Sequence, residues 1–142
     1  MTENPTKVSL KGTAELEFVD EVLTALEGLF ASVGDVAEED RTFFSLAVSE
    51  IATNICTHHN MDRPVAVSAE LTVTATALRA QFHDDADPAD PAVIDLEGAT
   101  LPEDLAESGR GLAIAKMALD HLSHEVSDGH VWTLMKKRRQ PR

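Results

Sequence analysis

Cysteine and positive charge are both scarce in this 142-residue chain. The single cysteine, Cys56, excludes an internal disulfide and any zinc cluster built on several cysteines. Acidic residues number 25 against 12 basic ones, and this net charge of −13 disfavours nucleic acid and favours basic protein surfaces as partners. Apolar runs of the roughly 20 residues that cross a bilayer are also missing. We therefore expect one cytoplasmic domain over residues 1–142, with no signal peptide and no membrane contact.

The few basic residues are concentrated at the C-terminal end. Five of the 12 fall within residues 136–142. Such a run is commonly a solvated strand end, which is the interpretation we favour. A contact with phosphate or with an acidic partner is the alternative.

Hydrophobic spacing predicts eight elements in the order β, α, α, β, β, α, β, β. The predicted strands cover residues 7–12, 65–74, 76–83, 124–127 and 131–137, and the predicted helices cover 14–32, 38–59 and 112–121. Thr13 is placed to cap the first helix and Gly34 to end it. This order predicts an α+β fold in which helices cover one face of a sheet.

A long acidic segment separates the second predicted hairpin strand from the third helix. Between Asp84 and Ser108 the chain has three prolines, nine acidic residues counting Glu107, and neither lysine nor arginine. Connections of this length without regular structure are uncommon, and many are lids or binding loops. We therefore expect a lid in this part of the chain.

Two polar residues lie beside the apolar stripe of the second predicted helix. At 100° per residue, Glu50 and Asn54 project together at the edge of that stripe, with His58 closer to the core. A partly desolvated glutamate suits proton transfer, and an amide oxygen suits Mg²⁺. Spacing alone also fits an ordinary i,i+4 polar pair beside a buried helix. The stripe itself consists of Phe44, Val48, Ile51 and Ile55.

Two further features are suited to nucleotide binding. Gly109 and Gly111 precede the third predicted helix, and helix N-termini bind phosphate through free backbone N–H groups. Glycines at such a place can equally serve close packing alone. Asp84 follows a predicted strand, where its carboxylate is placed either to accept a hydrogen bond from the amine of adenine or to form an Asx turn.

The order of these motifs resembles the ATPase superfamily shared by DNA gyrase, histidine kinases and mismatch-repair ATPases. Within it, the chain resembles the bacterial anti-sigma factor serine/threonine kinases from about residue 7 to residue 138. The matching stretches are 49–58 for the N box, 84–91 and 107–115 for the two glycine boxes, and 128–137 for the closing strand. The resemblance implies a two-layer α/β sandwich with a mixed, mainly antiparallel sheet and a lid over about 86–108.

The same resemblance implies a site for ATP and Mg²⁺. Asn54 would ligate Mg²⁺, and Glu50 would act as the catalytic base that takes the proton of a serine or threonine hydroxyl on a protein substrate. Asp84 would accept from the adenine amine. The remaining implied ATP-binding residues lie in the N box and the glycine boxes: His58, Ala86, Ser108, Gly109, Arg110, Gly111 and Leu112.

The implied function is that of an anti-sigma factor with kinase activity. It would bind an alternative sigma factor, phosphorylate an anti-anti-sigma antagonist protein, and form a homodimer. However, Ala86 and Pro88 replace the two glycines of the family's first glycine box. Alanine adds a β-carbon there, and proline removes an N–H group. A non-catalytic or weakly nucleotide-binding partner-switching module of the same fold is therefore the alternative function, and a kinase acting on histidine of a separate protein is a third.

Overall fold

The predicted order of elements is confirmed. The computed structural model describes residues 5–57, 62–86, 107–126 and 128–139, with the backbone alone for 107–110. The α+β prediction is likewise confirmed, with helices on one face of a five-stranded sheet. In chain order the elements are β1 (Thr6–Thr13), α1 (Leu16–Val33), α2 (Glu38–Thr57), β2 (Ala66–Val73), β3 (Ala77–Asp84), α3 (Glu107–Ala118), β4 (His121–Val126) and β5 (His130–Lys137).

The sheet has the strand order β1-β2-β3-β5-β4. A mixed, mainly antiparallel sheet was expected, and all four pairings between these described strands are antiparallel. The reason is the β4–β5 hairpin, which places β5 rather than β4 next to β3. Because a tight hairpin reverses the chain, β5 runs antiparallel to β4, and its pairing with β3 is antiparallel as well.

Alternation along the strands defines which face of the sheet carries the core. Every second residue of β2 and of β3 is buried, and the buried positions pair across the strands, as Leu71 does with Ala80. All three helices contribute to the same core. The apolar stripe predicted for α2 is confirmed, since Phe44, Val48, Ile51 and Ile55 are all buried. None of the helices in the described ranges is long and apolar enough to cross a membrane.

The first helix begins later than predicted. Thr13 is the last residue of β1 and does not cap α1, because sheet pairing with β2 continues through it. Glu15 occupies the N-cap position in an extended conformation, without a side-chain capping hydrogen bond. Gly34 ends the helix as predicted, with a φ of 65° and its N–H donating to the Phe30 carbonyl at 2.9 Å.

The third helix lies earlier in the chain than predicted, at Glu107–Ala118 instead of 112–121, and β4 begins at His121. Gly109 and Gly111 therefore lie within the first two turns of α3 and not before it. Glycine has a low helix propensity, which is why the local pattern placed the start of the helix after both. Packing against α2 supplies stabilisation that a local pattern does not contain.

The described part of the basic C-terminal run holds the start of α2 in place. Asp40, in the first turn of α2, is only 1% exposed. Its Oδ2 accepts the backbone N–H of Arg139 at 2.8 Å, and its Oδ1 lies 3.6 Å from Lys136 Nζ. Arg138 donates to two backbone carbonyls of neighbouring turns at 2.7 and 2.8 Å. The expectation of a solvated strand end was therefore wrong for Lys136 and Arg138, whereas the side chain of Arg139 is exposed and pairs with Glu39 at the surface.

Candidate functional site

Glu50 and Gly111 meet where α2 packs against α3. A β-carbon added to Gly111 would collide with Oε2 of Glu50. Glycine at this position thus leaves room for the carboxylate beside the backbone of α3. The structure brings the N box and the second glycine box together at this contact, although they are far apart in the sequence.

Asn54 lies one helical turn beyond Glu50 on α2. Its side chain is 7% exposed, and its Oδ1 has no hydrogen-bond partner within the described residues. An unpaired buried polar atom costs about 1–3 kcal/mol, so such atoms are rare unless a ligand or solvent satisfies them. An amide oxygen is a ligand type that Mg²⁺ accepts. Asn54 therefore fits the metal-binding position that the sequence predicted for it.

Asp84 ends β3 with its side chain 3% exposed. Its Oδ1 accepts the N–H of Ala86 at 3.0 Å, so the Asx turn considered for this residue is present. A carboxylate can accept more than one hydrogen bond, so the Asx turn does not prevent Asp84 from accepting another from the amine of adenine. Burial raises the pKa of Asp84 above its ordinary value, while the Ala86 N–H and then His130 act in the opposite direction.

The carboxylate of the neighbouring Asp85 binds the Ala66 backbone and Arg63. Its Oδ1 accepts from the backbone N–H of Ala66 at 2.8 Å and from Arg63 at 3.2 Å. Desolvation acts to raise the pKa of Asp85, but the Ala66 N–H and Arg63 together hold it below its ordinary value. Of the two adjacent aspartates, Asp84 is the one on the core face of the sheet.

Gly129 lies directly beside Asp84, although the sequence analysis gave it no role. Its φ is 142°, and a β-carbon there would overlap the carbonyl oxygen of Asp84. The β4–β5 turn thus lies directly against the end of β3, and only glycine allows that approach. The Asp-Gly dipeptide signals the turn, but nothing local to it indicates the contact with β3.

Two histidines near Asp84 were also not singled out. His124 Nε2 and His130 Nδ1 are 2.9 Å apart, and the planes of the two rings are nearly parallel, with 10° between them. His124 also stacks on Trp132, with ring centroids 4.3 Å apart. Burial, and then His130, lower the pKa of His124. Alternation places all three residues on one face, but only the β4–β5 register makes them neighbours.

The first glycine box and the lone cysteine lie close to this region. Ala86, at the first position where the family has glycine, is 4% exposed and belongs to the core. Cys56 is buried on α2, and burial, with smaller contributions from Asp84 and Glu15, raises the pKa of its thiol to about 11. The thiol is therefore protonated at neutral pH and has no nucleophilic character.

Several predicted site residues lie outside the described part of the structure. These are His58, the side chains of Ser108 and Arg110, and residues 87–106 of the lid. Gly109 lies within α3, and the side chain of Leu112 is buried in the core. The nucleotide-binding roles of all these residues remain predictions.

Comparison with known proteins agrees with this arrangement. The crystal structure of the RsbU and RsbW domains of Rv1364c from Mycobacterium tuberculosis superposes with a TM-score of 0.64 at 18% sequence identity, which shows a shared fold. The alignment covers 99% of this chain and 34% of that one. No curated protein sequence matches the chain. The sequence profile of the histidine kinase-like ATPase domain matches residues 12–137, from the end of β1 to the end of β5. The chain therefore belongs to the histidine kinase-like ATPase domain family.

Proposed function

We propose that this chain is an ATP-dependent serine/threonine protein kinase and a cytoplasmic anti-sigma factor, built as a single domain over residues 1–142. The observation that carries the proposal is the α2–α3 contact. There the buried Oδ1 of Asn54, which has no hydrogen-bond partner among the described residues, lies one turn from Glu50, and the Glu50 carboxylate lies against Gly111. Membership of an ATPase domain family supports ATP as the nucleotide.

Each residue then has a separate task. Asn54 ligates Mg²⁺, which when bound neutralises charge on the phosphates. Glu50 takes the proton of the substrate hydroxyl, and Asp84 accepts from the adenine amine. The first turns of α3 present backbone N–H groups and the positive end of the helix dipole to phosphate. No cluster of three or more His, Cys, Asp or Glu suited to a metal occurs in the described ranges.

The proposed partners are an alternative sigma factor, which the chain binds, and an anti-anti-sigma antagonist, which it phosphorylates. A net charge of −13 supports a basic surface on at least one partner. Nucleotide state would decide which of the two is bound, and the active form would be a homodimer.

The nucleotide part is tested by calorimetric titration with ATP, with and without Mg²⁺. We expect Asn54→Ala to weaken binding in the presence of Mg²⁺ at least about tenfold, since a buried ligand to the ion is lost. Without Mg²⁺, the wild type and this variant should bind alike. The matched control is Gln81→Ala, which removes an amide that is exposed on β3 and bonded to Thr133. A wild-type protein that binds no ATP would contradict the proposal.

The kinase part is tested by transfer of labelled phosphate to the cognate antagonist. We expect an acid-stable label, which identifies a serine or threonine acceptor. Glu50→Gln should abolish labelling while ATP binding persists, because the carboxylate acts on the hydroxyl and not on the nucleotide. Glu21→Gln, on the exposed surface of α1, is the control and should label normally. An acid-labile label would point to histidine instead, and full labelling by Glu50→Gln would refute the catalytic role.

A non-catalytic partner-switching module of the same fold is the second candidate. It is favoured by Ala86, whose buried methyl group stands where the family has glycine and where backbone and nucleotide come close. Tight binding of a sigma factor together with no detectable ATP binding would select this candidate over the kinase.

A further inference from the structure

The face of the sheet opposite the helices carries a depression with basic walls. It measures about 650 Å³ and lies where β3 begins, β5 ends and β4 begins. Four of the side chains that line it are basic, namely Arg79, His121, Lys137 and Arg138, and none of the described lining residues is acidic. Acidic residues outnumber basic ones by 25 to 12 in the chain as a whole, so this basic depression runs against the overall composition.

Strand register places three of these basic residues around Met135. Arg79 on β3 and His121 on β4 are directly opposite Met135 of β5, one on each side of it. Lys137 lies two residues further along β5, on the same face, and is diagonal to both. Diagonal neighbours in an antiparallel sheet are about 7–8 Å apart. The three basic residues are therefore separated from one another instead of converging on one point.

The positive charges of the basic depression are not neutralised by carboxylates. Arg79 and Lys137 are exposed, and neither side chain takes part in an ion pair among the described residues. The guanidinium group of Arg138 donates to the carbonyl oxygens of Thr74 and Asp35, which are uncharged acceptors. The depression therefore presents a local positive potential on an otherwise acidic protein.

The two carboxylates recorded near the basic depression have partners of their own. Oδ2 of Asp120 accepts the backbone N–H of Lys137 at 2.7 Å. Glu70 is diagonal to Arg79 across β2 and β3, and its carboxylate lies 3.8 Å from Lys7 Nζ. Neither carboxylate lines the depression.

We propose that the basic depression binds an extended acidic segment of a partner protein. In an extended segment, residues i and i+2 point to the same side and are about 7 Å apart, which matches the spacing of the basic residues. A single phosphate group would need its donors to converge. Met135 offers a polarisable apolar surface for the aliphatic part of a glutamate side chain.

This inference goes beyond the proposed function and does not depend on it. The basic depression lies on the uncovered face of the sheet, whereas Asp84 lies on the core face and at the opposite end of β3. It therefore assigns a second surface to the protein, for a partner whose charge is opposite to that of a partner attracted by the acidic body.

The experiment is an NMR titration of the full ¹⁵N-labelled chain with a capped peptide in which glutamate and serine alternate. At low salt we expect the backbone amide signals of Arg79, Met135 and His121 to shift. The shifts should weaken at high salt, because exposed charges are screened. A peptide with glutamine in place of glutamate should shift none of them. Shifts confined to other parts of the chain, or none at all, would overturn the proposal.

Two double variants separate a specific surface from general attraction. Arg79→Gln combined with Lys137→Gln should weaken peptide binding about fivefold or more, whereas Arg41→Gln combined with Lys116→Gln should stay within about twofold of the wild type. The second pair removes the same charge from exposed positions on α2 and α3. Equal losses in both would show non-specific attraction and overturn the proposal.

Two further outcomes would assign the surface to a different occupant and so overturn the proposal. The first is inorganic phosphate that shifts the same amides and displaces the peptide, which would indicate a small anion. The second is a wild-type dimer that becomes monomeric in the Arg79→Gln and Lys137→Gln variant, as measured by sedimentation, which would show that a second copy covers this face. Neither outcome bears on ATP binding, so the proposed function stands or fails separately.

Discussion

The carboxylate of Glu50 lies so close to the α-carbon of Gly111 that a β-carbon at this position would overlap its Oε2. One prediction follows for Gly111→Ala. Its β-carbon must displace Oε2, but Oε2 is the end of a flexible side chain that can turn away. We expect the free energy of unfolding in urea to change by less than about 1 kcal/mol, while phosphate transfer falls at least about tenfold because the base is misplaced.

Gly28→Ala is the matched control for this substitution. It lies on α1, where an added β-carbon meets nothing within 4 Å. It should gain about 0.5–1 kcal/mol of stability from helix propensity and leave transfer unchanged. Full activity in Gly111→Ala would show that the position of the Glu50 carboxylate does not matter.

Gly129→Ala should be strongly destabilising. The substitution combines a φ of 142° with overlap against the backbone of Asp84, and backbone cannot turn away as a side chain can. We expect a loss of about 3 kcal/mol or more in urea unfolding. Gly34→Ala is the control, since its φ of 65° is also unfavourable but the surrounding space is open. It should lose only about 1 kcal/mol, and equal losses in the two variants would contradict the assigned contact.

Asp40→Ala should destabilise the protein far more than Glu39→Ala, although the two residues are adjacent. Asp40 is buried, accepts a hydrogen bond from the backbone N–H of Arg139 and pairs with Lys136. Its removal therefore takes the paired carboxylate away from the partly buried ammonium group of Lys136. We expect a loss of about 3 kcal/mol. Glu39 pairs with Arg139 at the surface, where such pairs contribute about 0–1 kcal/mol. Thermal or urea unfolding of both variants checks the difference.

Asp84→Asn should stabilise the protein at neutral pH. Burial raises the folded-state pKa of Asp84 above its ordinary 3.8, so the folded state disfavours the charged form. At pH 7 the wild type carries this cost, whereas asparagine keeps an oxygen for the Ala86 N–H without a charge. This gain in the free energy of unfolding should shrink as pH falls through the folded-state pKa of Asp84 and vanish below 3.8.

Asp85→Asn should show the opposite sign and serves as the control. Desolvation is outweighed there by the Ala66 N–H and Arg63, so the folded-state pKa is lowered. The wild type should be more stable than Asp85→Asn at pH 7, by a modest amount because the side chain is partly exposed. This difference should disappear as pH falls through the lowered pKa. The same sign for both variants would contradict the assigned environments.

The local sequence pattern was sufficient to predict most of the helices and strands. Periodicity of 3.6 placed the core stripe of α2 on four residues that are all buried, and it placed Asn54 and Glu50 at the edge of that stripe. Period-2 alternation placed β2 and β3 within a residue or two. Errors occurred at Thr13, where sheet pairing continues through the residue expected to cap a helix, and at Gly109, where packing extends a helix through poor helix formers. The fourth strand also begins at His121 instead of residue 124.

The candidate site was only partly predictable. Glu50 and Asn54 were identified because they lie one helical turn apart beside an apolar stripe, and Asp84 because it directly follows a strand; all three also match the motifs of the family that the chain resembles. His130 and Gly129 were missed because their importance comes from what stands opposite them on β3. The basic run was misjudged for the same reason, since nothing near Lys136 or Arg139 in the sequence indicates Asp40.

The sequence by itself determined the order of helices and strands, the faces that they bury, and which polar residues sit beside those faces. These properties depend on neighbours within a few positions along the chain, so a single sequence contains them. Only the tertiary structure decided that Glu50 contacts Gly111, that His130 stands opposite Asp84, and that Asp40 receives Arg139. Burial of apolar surface is non-directional and does not specify which strand lies next to which, so these pairings arise from strand register and helix packing.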